Sequence, residues 1–75
     1  MLVSQKIGER IKFFRRQRHL SLEEFSKLIL KSPSTLSKYE SGKIVLDIET
    51  LFEIADALNI TVNQLVDFDR SAAPT

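Results

Sequence analysis

The residues best equipped for chemistry stand in one stretch, "SPSTLSKYESGK", Ser32 to Lys43. Four serines, a threonine and two lysines surround only two large side chains with apolar bodies, Leu36 and Tyr39. Hydroxyl and ammonium groups suit phosphate oxygens and major-groove base edges, and small side chains let a helix backbone approach another surface closely. Placed on a helix, Leu36, Tyr39 and Glu40 share one side. Ser34, Ser37, Lys38 and Ser41 follow i, i+3, i+4, i+7 spacing on the other. Most polar stripes are plain solvated faces, but those more usually carry Glu, Lys and Gln, because serine is a mediocre helix former. This stripe leans towards a contact surface.

Other chemistries fail on inventory. The chain has no cysteine, so it offers no disulfide framework, thiolate zinc site or cysteine nucleophile. Its single histidine, His19, falls in a turn between helices, where a solvated loop residue is the simplest account. Gly8 and Gly42 are isolated and make no phosphate-cradling loop. Asp67 and Asp69 flank Phe68 without an obvious pocket for a carboxylate dyad, and metal-ligand spacing is absent. The sequence therefore predicts neither an enzyme nor a cofactor or metal site.

The elements that must position the hydroxyl stripe announce their own starts. "LSLEEF" has Ser21 as N-cap, Glu24 as its capping-box partner, and Leu20 and Phe25 as a hydrophobic staple. "LDIETL" repeats the layout with Asp47 as cap, and "ITVNQL" does so with Thr61 and Gln64. Ser32 followed by Pro33 is a cap with proline at the first helical position, where the missing N–H costs nothing. Five short helices are predicted, about 4–18, 22–30, 33–41, 48–58 and 62–68, with no strand-like alternation. The expected buried stripes are Val3, Ile7, Ile11 and Phe14; Leu22, Phe25, Ser26 and Ile29; Ile48, Leu51, Ala55 and Leu58; and Val62 with Leu65.

At 75 residues the chain is expected to be one all-α domain over residues 1–69 with a flexible tail at 70–75. No apolar run reaches the ~20 residues of a membrane span and no signal-peptide core is present, so a cytoplasmic location is expected. The net charge is only +1, but it is unevenly spread. Residues 1–43 hold ten Lys/Arg against four Asp/Glu, and residues 44–75 hold one against six. A basic front and an acidic back suit a domain that presents one end to a polyanion, although small domains are often segregated in this way by chance. Glu40, on the inward side of its helix, needs a cationic partner, and Arg15 beside the apolar stripe of the first helix is the best candidate.

Residues 7–65 resemble the phage-repressor/Cro-like helix-turn-helix family, also called the XRE family. The pieces that carry the likeness are "IGERI", "LSLEEFS", "STLSKYESGK" and "ETLFEIADALNIT". The resemblance implies a compact, lambda-repressor-like bundle of five helices, with the second and third forming the helix-turn-helix and the third lying in the major groove of double-stranded DNA. It implies base reading by Pro33, Ser34, Ser37 and Lys38, with Lys38 on a guanine. It implies phosphate contacts by Ser21, Ser32, Thr35 and Lys43, and by the start of the second helix. The pair Arg15 and Glu40 corresponds to the family's usual ion pair. The expected function is a sequence-specific transcriptional regulator, a repressor. The alternative is an antitoxin, or the DNA-binding module of a larger regulator, with a toxin or sensor domain as partner.

The sequence also departs from the family's pattern. Leu22 stands where a glutamine that contacts phosphate is common, so that contact is missing. Leu30 replaces the glycine usual in the turn, which implies either a strained turn or a longer second helix. "IVLD" replaces a loop that often holds a basic residue and a proline, so its phosphate grip is expected to be weaker. Phe13, Leu28, Leu30, Leu46, Phe52 and Phe68 exceed what five short helices are expected to bury. Their exposure is either incidental or marks a homodimer seam, expected near Phe52, Val66 and Phe68, or another partner surface.

Overall fold

The computed structural model describes residues 3–67 of the chain. Among them are five α-helices and no strand: α1 Val3–Gln17, α2 Leu22–Leu28, α3 Pro33–Ser41, α4 Ile48–Leu58 and α5 Val62–Val66. α1 touches α3, α4 and α5, while α2 packs on α3 and α4 on α5. The tail at 70–75 and Phe68 lie outside the described residues.

Three of the four predicted caps form as hydrogen bonds. Ser21 accepts from the Glu24 N–H at 3.0 Å and Glu24 accepts from the Ser21 N–H at 2.9 Å, a complete capping box. The bond from the Ser21 backbone is the main reason the Glu24 carboxyl sits below its usual pKa. Thr61 and Gln64 make the same reciprocal pair for α5. The Ser32 hydroxyl accepts from the Thr35 N–H at 3.1 Å and donates to the Thr35 hydroxyl at 2.9 Å. Asp47 is the exception. Its backbone has N-cap geometry, but its carboxylate makes no capping hydrogen bond. It lies instead under the influence of the Thr50 side chain, the first cause of its lowered pKa, with Lys31 as a smaller contribution.

Four of the five helix ends share one device. At His19, Leu30, Gly42 and Asn59 the backbone turns left-handed, with φ of 58°, 57°, 78° and 58°. In each case the next residue's N–H reaches back five positions, as in Lys31 to the Ser26 carbonyl at 2.9 Å and Lys43 to the Lys38 carbonyl at 2.9 Å. Leu30 resolves the alternative posed by the missing glycine. α2 is shorter than predicted rather than longer, and the turn carries the strain of a leucine in a region that suits glycine.

The core is built by Ile11, Phe25, Leu36, Ile54, Leu58 and Leu65, all inaccessible to solvent. Ile7, Phe14, Leu22, Leu46 and Val62 pack against it in part, so Leu46 is not a leftover residue. Two expected core residues are not there: Val3 and Ile48 are 61% and 63% exposed. Each is the first residue of its helix. Thr50 is buried on α4 instead.

Gly8 sets how closely α1 and α3 approach. A Cβ there would fall on the carbonyl oxygens of Glu40 and Tyr39. Glycine inside a helix normally costs about 1 kcal/mol relative to alanine, so exchanging it for alanine would stabilise an exposed helix. Here Gly8→Ala is expected to destabilise by about 1–3 kcal/mol, because backbone rather than side chain must move. Leu30→Gly should act in the other direction and raise stability by ~0.5–1 kcal/mol, since an exposed side chain is exchanged for relief of left-handed strain. Urea denaturation midpoints at unchanged slope test both.

Candidate nucleic-acid interface

α3 is two-faced in space as its spacing predicts. Leu36, Tyr39 and Glu40 are buried, while Pro33, Ser34, Ser37, Lys38 and Ser41 are exposed along the opposite side. Lys43 is exposed just past the left-handed Gly42, and Thr35 is half-buried at the edge of the helix. Ser21 is exposed at the start of α2 and Ser32 at the start of α3. Both serine oxygens are engaged in capping, which leaves different protons to give. The Ser21 hydroxyl accepts in its capping bond and keeps its own hydrogen. Ser32 gives its hydrogen to Thr35, which in turn keeps its own. The Ser21 N–H is taken by Glu24. Ser41 is a weaker contact candidate, because its hydroxyl donates to the Lys38 carbonyl at 3.2 Å.

The inner side of α3 is fastened to α1 by charge. The Arg15 Nε donates to Glu40 Oε2 at 2.7 Å and a terminal guanidinium nitrogen donates to Oε1 at 3.2 Å. A third bond runs from Arg15 to the Leu20 carbonyl at 2.6 Å, just ahead of α2. Both side chains are more than nine-tenths buried. Every buried side-chain nitrogen and oxygen among the described residues has a partner, so this low-dielectric pair is fully satisfied. Gly8 and Arg15 thus hold α3 from one side, and its hydroxyl face points away.

Sequence reasoning placed the basic front of the chain towards a polyanion, yet part of that charge turns inward. Arg10 donates to the Gln64 and Asp67 carbonyls at 2.7 and 3.2 Å, at the end of α5. Arg18 donates to the Leu58 carbonyl at 2.8 Å and the Asn59 carbonyl at 3.5 Å, at the end of α4. Cations at these carbonyl ends satisfy orphan acceptors and oppose the negative pole of the helix. Neither arginine was singled out from the sequence, since one arginine among several looks the same whether it caps or is solvated. Gly8 did carry a signal, because glycine inside a helical pattern usually has a packing reason.

Among the described residues no cluster of His, Cys, Asp or Glu could hold a metal ion, and no helix is long and apolar enough to cross a membrane. A capped helix, a four-residue turn at 29–32 and a second helix that buries one face and offers small hydroxyls and lysine on the other define the helix-turn-helix class of DNA-binding transcriptional regulators. The Helix-turn-helix family model matches residues 11–65, and the chain belongs to that family. It is 35% identical over 65 residues to the ImmF control region 10 kDa protein of Bacillus phage phi105, spanning 87% of this chain and 72% of the relative. Among solved structures it is similar to the clp gene regulator ClgR of Corynebacterium glutamicum, at 25% identity and a TM-score of 0.87 over 89% of this chain and 86% of that one. It is also similar to the restriction-modification controller protein C.AhdI of Aeromonas hydrophila, at 26% identity and a TM-score of 0.78, over 81% and 92% of the two chains.

The buried pair gives a stability prediction. Glu40→Ala leaves the Arg15 guanidinium buried without its partner and should cost about 3–5 kcal/mol. Replacing both residues together, as Arg15→Met with Glu40→Leu, removes the desolvated charges and should recover much of that loss in thermal and urea unfolding.

Proposed function

We propose that the protein is a sequence-specific regulator of transcription, acting as a repressor, that lays α3 in the major groove of duplex DNA. The observation that carries this reading is the contrast between the two sides of α3. Its inner side is clamped by Gly8 and the Arg15–Glu40 pair, and its outer side offers only proline, serine and lysine. In this reading Pro33, Ser34, Ser37 and Lys38 face base edges. Lys38 donates to guanine O6 and N7, and Pro33 makes apolar contact with a thymine methyl. Ser21, Ser32, Thr35 and Lys43 face phosphates, with the retained hydroxyl hydrogens of Ser21 and Thr35 as donors. The protein works in the cytoplasm as a single domain over residues 1–69, it binds as a homodimer through the region of Phe52, Val66 and Phe68, and it has no catalytic role. The exposure of Phe52 and Val66 supports that seam. A second reading, a module whose main role is binding a protein partner such as a toxin or sensor domain, is favoured by the exposed Leu28 and Leu30.

Selection from a randomised duplex-DNA library tests the proposal. It should enrich a two-fold-symmetric site with half-sites about 10–11 bp apart. Retention without enrichment, lost steeply with salt, would reduce the activity to phosphate binding. On the selected site, Lys38→Ala should relax preference at one base position and cost ~1–3 kcal/mol, whereas Lys43→Ala should weaken all sequences alike and lower the salt slope by about one.

A further inference from the structure

The turn that joins α2 to α3 carries two costs, a strained backbone and an exposed apolar side chain. Leu30 holds a left-handed backbone at φ 57°, where leucine is strained. Its side chain is also 91% exposed, the most open of the large apolar residues described. Leu28 beside it is 58% exposed. Strain at a solvent-facing leucine persists where something uses it. The same two leucines line a groove of about 510 Å³ between the turn and α4. Its opposite wall carries Glu53 and Asp56, and Lys31 lies on the turn side. The side-chain carboxylates of Glu53 and Asp56 make no ion pair or hydrogen bond among the described residues.

We propose that this groove is a docking site for a short segment of a partner protein that combines an aliphatic or aromatic anchor with lysine or arginine. The anchor packs against Leu28 and Leu30, and the cation faces Glu53 and Asp56. Charge complementarity selects this occupant. The carboxylates repel nucleic acid, so the groove is no extension of the α3 surface. A groove of this size takes one or two large side chains, as in short-motif recognition, rather than a whole domain face. The proposal is independent of which bases α3 reads.

The test is selection of a displayed library of randomised 12-residue peptides on the full chain, with a Glu53→Lys, Asp56→Lys variant as counter-selection. Enriched peptides should combine Leu, Ile or Phe with Lys or Arg. When such a peptide is titrated into the isotope-labelled chain, amide signals of residues 28–31 and 53–57 should shift. Leu30→Gly should lower peptide affinity at least tenfold while unfolding no earlier than the parent, which separates lost docking from lost folding. No enrichment over the counter-selection, enrichment of acidic peptides, or equal binding by Leu30→Gly would overturn the proposal. Self-association of the chain that Leu30→Gly abolishes in sedimentation equilibrium would also overturn it, by making a second copy the occupant.

Discussion

The closeness of α1 to α3 is the constraint on which the rest depends. Two helices can come this near only where one presents no side chain, and Gly8 supplies that gap opposite the Tyr39 and Glu40 carbonyls. About two turns further along α1, Arg15 reaches Glu40 with a two-pronged bond and the Leu20 carbonyl with a third. Steric fit sets the distance, and the guanidinium fork sets the rotation of α3 about its own axis. That rotation decides which residues of α3 meet solvent. A buried pair of this kind adds little to stability compared with apolar residues of equal volume. Its consequence here is orientation, since a rotated α3 would bury serines and expose Leu36.

Helix ends are managed with the same economy of means. Four left-handed turns close helices through the same backward hydrogen bonds, yet only Gly42 is a glycine. Asn59 tolerates that backbone well and His19 tolerably, because short or polar side chains are enriched there. Leu30 does not. Its position in the turn between α2 and α3 places the strain beside α3 and at the edge of the groove lined by Glu53 and Asp56. Stability is lowered where a partner could use the exposed side chain, a common trade between folding and binding.

Charge in this small domain serves both scaffold and surface. Arg10 and Arg15 lie on α1 and Arg18 directly follows it, and each reaches carbonyls at the end of another helix or loop. α1 and the turn residue that follows it therefore form the spine that caps α4 and α5 and holds α3. The cations exposed on or just after α3 are few, Lys38 and Lys43. With so few charges on that surface, discrimination would have to come from the fit of small hydroxyls as much as from attraction to phosphate.

Much of this was legible in the residues themselves. Capping boxes at Ser21 and Thr61, proline after Ser32, and apolar spacing around Ile11, Phe25 and Leu36 are local signals, and local hydrogen bonds and periodicity obey them. The same locality made the two faces of α3 readable, since a helix of known phase fixes which residues oppose one another. What the sequence could not decide was relational. Whether an arginine caps a distant helix, whether Val3 and Ile48 find a cover, and whether Leu30 extends a helix or strains a turn all depend on atoms far away in the chain. Only the packing of α1 against α3, α4 and α5 brought those atoms together, and with them the choice between buried and exposed, satisfied and strained.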